Sequence, residues 1–286
     1  MWGSSFILMK RGMEVYSSNQ VAALRIFIAF LSIIPLVFKH VKKSLLKHWK
    51  GFLGMGMFGS LIPAFLFTAA QNGISSSLTA MLNSLTPVFT LIMGVFFFKE
   101  KPGWINIVGI FIGFCGAIGL LIVSKGGAIN TNVWYGFFVV LAAIFNALAV
   151  SVIKKYLGGI NAISCTVWSM VLVGPIAGAY LFTTDFTYRL SNNPMALQSL
   201  GYITVLAVFS SVISVVLFNI LIGRSGTLFA TSVTYLLPIV AMGWGLWDNE
   251  VVLPLHLAWI GLILIGVFLV NKKRESLSFS EVKEEL

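Results

Sequence analysis

Acidic residues are scarce: nine aspartates and glutamates stand against 19 lysines and arginines in 286 residues. All nine, Glu14, Glu100, Asp185, Asp248, Glu250, Glu275, Glu281, Glu284 and Glu285, fall in loops, helix ends or the tail. Paired carboxylates within an apolar segment, which acid–base or hard-metal chemistry would need, are thereby excluded. Cysteine is rarer still. Cys115 and Cys165 both lie in apolar segments, so they read as small buried hydrophobes rather than a disulfide framework. No HExxH, Walker A or metal-ligand spacing occurs, so neither metal nor cofactor is expected. Charged residues make up 10% of the chain, and hydrophobic ones 58%, a balance that a polytopic helical membrane protein shows and a water-soluble globule does not.

Apolar runs are predicted to span at Gln20–Phe38, Gly51–Asn72, Ser75–Phe98, Trp104–Ser124, Val133–Ile153, Ala162–Thr183, Leu200–Ile222, Gly226–Trp247 and Leu253–Val270. A further run, Trp2–Met9, has only about half the length of a span, since about 20 residues at about 1.5 Å each cover the hydrocarbon. The opening MWGSSFILMKRG has no basic n-region and no small-residue cleavage site, and reads as the tail of a spanning helix rather than a signal peptide.

Ser75–Phe98 is the organising stretch. Ser76, Thr79, Asn83, Thr86 and Thr90 recur at helical spacing, which predicts a polar stripe along one face of an uncharged helix. Lipid cannot satisfy an amide, so the stripe faces other helices or a wet cavity. Pro87 lacks an N–H and frees the Asn83 carbonyl, predicting a bend beside the most polar side chain. Two readings stand: polar glue between helices, or the wall of a solute cavity.

With the N-terminus inside, fourteen lysines and arginines fall in inner loops and four (Lys10, Arg11, Lys125, Arg189) in outer ones. That asymmetry predicts both termini cytoplasmic. The run KHVKKSLLKHWK from Lys39 to Lys50 then lies on the cytoplasmic surface, where anionic lipid head groups rather than nucleic acid are its expected partner.

The chain also repeats itself. Phe58–Phe67 lies over Phe209–Phe218 at an offset of 151 with five of ten positions identical, and Pro87 falls on Pro238. After one deletion, Glu100 falls on Glu250 and Gly116 on Gly266. Five spans per repeat would invert the second copy, an arrangement recurrent in secondary transporters with the solute near the midplane.

Trp2-Gly-Ser-Ser-Phe6, Leu24-Arg25-Ile-Phe27, the Leu85-Thr-Pro87 and Leu237-Pro238 turns with Glu100 and Glu250 behind them, and the duplicated units resemble the EamA family of the drug/metabolite transporter superfamily. The resemblance covers almost the whole chain. It implies an all-α integral membrane protein of ten helices in two inverted five-helix repeats, residues 1–124 and 132–271, with a cytoplasmic tail at 272–286. It further implies a permease or exporter of amino acids or other small metabolites in a bacterial inner (plasma) membrane. The first, third, fourth, sixth, eighth and ninth helices would line its cavity, and the fifth and tenth would be scaffold. The small multidrug-resistance relatives use a membrane-embedded Glu for proton exchange, and no such residue is visible here. The truncated first helix departs from the family pattern.

The cavity-lining candidates are Ser5, Thr68, Gln71, Thr79, Asn83, Thr86, Thr90, Asn146, Ser211, Ser214, Thr231, Thr234 and Tyr235, all neutral, which suits a neutral or zwitterionic solute. Pro87 and Pro238 are the expected hinges. Arg25, within a predicted span, is assigned a structural role near the interface, and Gly109 and Gly113 one in close helix packing. Competing classes are an intramembrane enzyme, a channel and a non-transporting receptor. Gly223-Arg-Ser-Gly226 matches the GxSG pattern of rhomboid proteases, but His256, the one histidine at a nearby helix end, is predicted on the opposite membrane face, about 30 Å away.

Overall fold

A computed structural model describes residues 1–37, 43–123, 132–250 and 252–272. Lys39, Lys42, Lys125, Asn130 and the tail from residue 273 lie outside the described residues. Among the described residues the chain is helical throughout, as backbone in hydrocarbon must be to satisfy its own N–H and C=O groups. Nine helices are long and apolar enough to cross a membrane: α2 Ser18–Val37, α3 Lys47–Ala70, α4 Ser76–Phe98, α5 Trp104–Ile122, α6 Trp134–Tyr156, α7 Ala162–Phe182, α8 Ala196–Ser225, α9 Phe229–Trp247 and α10 Pro254–Asn271. Before them comes α1, Ser5–Gly12, which at eight residues is too short to span.

Burial separates a centre from a rim. In α4 67% of the most apolar stretch is buried, the largest share among the nine, so α4 is central; α10, at 33%, has the smallest and lies at the rim. Small residues let α5 and α10 approach closely: a Cβ at Gly109 would lie 2.6 Å from the carbonyl oxygen of Gly266. The Asn106 amide donates to the Val270 carbonyl at 2.6 Å and ties the same pair at one end. Trp104, Trp134 and Trp247 are exposed at helix ends, where indoles sit in the head-group region.

The sequence repeat has a backbone counterpart. α3 contains a π-helical stretch at Met57–Leu61 and α8 one at Leu206–Ile213, and the first shifted by 151 falls within the second. α4 breaks between Asn83 and Thr86, where turns replace the α ladder; α9 tightens to 3-10 helix at Val233–Leu236. Pro87 and Pro238 follow these breaks and open the next helical stretch, as a residue without an N–H can. The Thr86 hydroxyl donates to the Asn83 carbonyl at 2.7 Å, replacing the bond that Pro87 cannot make. Lys99 and Asn249 end their helices in the left-handed region, at φ 53° and 56°, each just before a repeat-related glutamate.

Candidate functional site

A cavity of about 130 Å³ lies between α1, α2, α3, α4, α6, α8 and α9. At about 10–15 Å³ per water in this measure, it holds roughly ten waters or one small metabolite. Its lining draws on the neighbourhoods of all the breaks. From α3 come Gly59, Ser60 and Pro63; from α8, Ser210 and Ser211; from the α4 and α9 breaks, Asn83, Thr86 and Thr234. The π-helical stretch of α8 re-aims its serines: Ser210 Oγ accepts from Ser5 Oγ at 2.7 Å, and the Ser210 carbonyl accepts from the Trp2 indole at 2.9 Å. Ser211 Oγ accepts from Arg25 Nε at 2.7 Å.

Of the neutral candidates, Ser5, Asn83, Thr86, Asn146, Ser211 and Thr234 border this cavity. The others lie off it, engaged within and between helices, though Gln71 Oε1 has no partner among the described residues. The Thr68, Thr79 and Thr90 hydroxyls donate to carbonyls of their own helix, those of Ala64, Ser75 and Thr86. Gln71 Nε2 reaches the Phe6 carbonyl, binding α3 to α1. Ser214 donates to the Phe209 carbonyl within the π-helical stretch, Thr231 is fully buried in α9, and the Tyr235 hydroxyl donates to the Val267 carbonyl of α10. The polar stripe of α4 is therefore divided by the break at Ser84–Leu85, which sends its members to different neighbours. Gly109 and Gly113 pack against Gly266, away from the cavity.

Arg25, assigned a structural role from the sequence, also lines the cavity. Asn219, Trp2 and Ser60 line it too and have no place in the sequence-derived set. Asn219 carried a signal in the sequence: like Asn146, it is an amide within an apolar run. The Asn219 amide donates to Thr166 Oγ1 at 3.0 Å, while its buried Oδ1 has no partner among the described residues.

One end of this assembly is held by ions. Tyr16, beyond α1, bonds the Ala196 carbonyl at the start of α8, and a Cβ at Gly73, before α4, would meet Tyr135 at the start of α6. At this same end Lys10 and Arg11 of α1 pair with Asp248, and Lys10 Nζ lies 3.0 Å from Glu250. Glu250 also accepts from the amides of Ser76 and Ser77 at 3.1 and 3.0 Å and from both hydroxyls at 2.8 and 2.7 Å, an anion seated on the positive N-terminus of α4. Burial pushes the Glu250 carboxyl up, but the bonds from Ser77, Lys10 and Ser76 outweigh it and hold the group at about 2. Gly245 makes room: a Cβ there would lie 2.8 Å from the carboxylate. At the far end Glu100 pairs with Lys154 of α6 at 2.8 Å, and a Cβ at Gly94 would run into Glu100 in the same way. The α6 and α8 lining residues, from Asn146 to Ile153 and from Ser210 to Asn219, fall in the halves remote from the Lys10–Glu250 end.

This arrangement can enclose a small solute among hydroxyls, amides and one guanidinium, and among the described residues no cluster of His, Cys, Asp and Glu could hold a metal ion. A solved structure 13% identical in sequence has the same fold, with a TM-score of 0.66 and coverage of 96% of this chain and 94% of its own. A protein of Archaeoglobus fulgidus described as an uncharacterized transporter is 27% identical, over 96% of this chain and 95% of its own. A probable amino-acid metabolite efflux pump of Salmonella typhimurium is 23% identical, over 94% and 90%. The EamA-like transporter family matches residues 1–122 and 133–272, and the chain accordingly belongs to that family, as a membrane transporter of its type.

Proposed function

We propose that the protein exports or exchanges small metabolites, amino acids or related neutral or zwitterionic solutes, across a plasma membrane by alternating access. The two halves, residues 1–124 and 132–271, act as inverted five-helix units. One observation carries the reading: a central cavity lined by both halves, lying away from an end that Lys10, Arg11, Asp248 and Glu250 bind shut. With the cation-rich loops cytoplasmic, this is an inward-facing arrangement. The repeat-related π-helical stretches and the breaks before Pro87 and Pro238 supply the places where each half bends. The efflux-pump name of the Salmonella relative supports amino-acid metabolites as the solute class.

The enzyme alternative loses support from placement. Ser225 closes α8 at one end, while the Nδ1 of His256 accepts from the Leu253 amide at the start of α10. The test is counterflow of labelled amino acids in liposomes. Asn83→Leu removes a cavity amide at a small folding cost, since a membrane hydrogen bond averages about 0.6 kcal/mol. Saturable flux that falls several-fold in Asn83→Leu, with unchanged thermal unfolding, is the expected result. Normal flux in the variant, or non-saturating flux in the wild type, would overturn the reading.

A further inference from the structure

The cavity has a polarity that its neutral hydroxyls and amides conceal. Among the described residues that line it, Arg25 is the one with a charge. A guanidinium carries five N–H donors and no acceptor. Nε–H is taken by Ser211 Oγ at 2.7 Å, and one Nη1–H faces the Met9 sulfur at 3.7 Å, a weak acceptor. The remaining three have no partner among the described residues, and no carboxylate forms an ion pair with Arg25 there. The described acids near the closed end are engaged elsewhere: Asp248 with Lys10 and Arg11, Glu14 with Arg11, Asp185 with Arg189 and Gln20, and Glu250 with α4 and Lys10. A charge kept within a membrane bundle calls for a partner, and no carboxylate among the described residues supplies one.

On the reading that the cavity holds the transported solute, we infer that Arg25 is the solute's carboxylate anchor, with Ser211 fixing the guanidinium, and that the transported class is defined by a carboxylate. A planar fork with three open donors matches a carboxylate in two-point geometry. The π-helical stretch of α8 brings Ser211 to Arg25, so a backbone irregularity orients the anchor. Further along the same helix Asn219 also borders the cavity, with a buried Oδ1 that has no partner among the described residues. With one cation and no acid among its described lining residues, the cavity accepts zwitterions and monoanions and disfavours net cations.

The experiment is counterflow in liposomes carrying the full chain. The twenty proteinogenic L-amino acids are tested first, then, for those that exchange, the matching amides and methyl esters, in wild type, Arg25→Lys and Arg25→Gln. Thermal unfolding reports whether each variant is folded. In the wild type the acids should exchange at least about tenfold faster than their amides and esters, the discrimination expected of a charge-assisted bond. Arg25→Gln should lower acid exchange by at least about tenfold and level the acid with its amide, while Arg25→Lys, which keeps a point charge, should retain the order. Equal exchange of acid and amide in the wild type would overturn the anchor and leave the transport reading standing. A folded Arg25→Gln that kept its preference for acids would do the same. If Arg25→Gln fails to fold, the wild-type acid-to-amide ratio and Arg25→Lys decide alone. Absence of exchange for all twenty would remove the amino-acid reading itself, and this inference with it.

Discussion

Glu250 shows how a single side chain links stability to function. Its carboxylate is held at about 2 by bonds from Ser77, Lys10 and Ser76 despite burial, against 4.5 for an unperturbed glutamate. Because the folded value is depressed, its contribution is full above about pH 4.5 and is lost as pH falls through about 2; the interval corresponds to roughly 3 kcal/mol. Thermal unfolding of wild type and Glu250→Gln should therefore differ most at neutral pH and converge across that window. A difference independent of pH would mean that the carboxylate does not carry the stabilisation. Gly245 is legible only once the structure is known, because nothing in its neighbours in sequence announces that Ser77 and Glu250 occupy the place of its side chain. Asn83, by contrast, could be read directly: an amide inside an apolar run has few fates. Arg25 was visible as a charge in a span, but its distance from the helix end could not tell a snorkelling arginine from one turned inward. That choice is made by Ser211, 186 positions away in sequence.

Among elements, the long helices followed from hydropathy, with boundaries shifted by a few residues, as at Lys47–Ala70 and Ala196–Ser225. The π-helical stretches did not, because no residue type forces them; they arise where packing favours one extra residue in a turn. The break in α4 was announced by Pro87, but its consequence for the polar stripe was not, since helical spacing holds only while the helix continues. The pairing of α5 with α10 yields a prediction of a purely structural kind. A Cβ at Gly266 would lie 2.7 Å from the Gly109 carbonyl and 2.8 Å from Gly113 Cα. Gly266→Val should therefore cost about 1–3 kcal/mol, the usual range for overpacking. Thermal unfolding of the variant should fall while the solute preference of the residual transport stays that of the wild type. A changed preference would mean that α10 shapes the cavity.

At the scale of the molecule, both ends carry a glutamate next to a left-handed residue and opposite a glycine, Glu250 at one and Glu100 at the other, each paired with a lysine. Under the alternating access proposed above, the two latches act at opposite ends: weakening the Glu250 cluster should expose the cavity at that end, whereas Glu100→Gln, which removes a pair made in the arrangement described here, should leave the Glu250 end closed. The most direct measurement places a cysteine at Asn83, in a chain with Cys115 and Cys165 replaced by serine, and follows its reaction with a membrane-impermeant methanethiosulfonate in vesicles of either orientation. The account predicts labelling from the side of Lys154 and Arg224, with labelling from the other side gained on adding Asp248→Asn and Glu250→Gln. Labelling from both sides without those changes would describe a pore, and labelling from neither would make the cavity a packing void; either result would contradict the account.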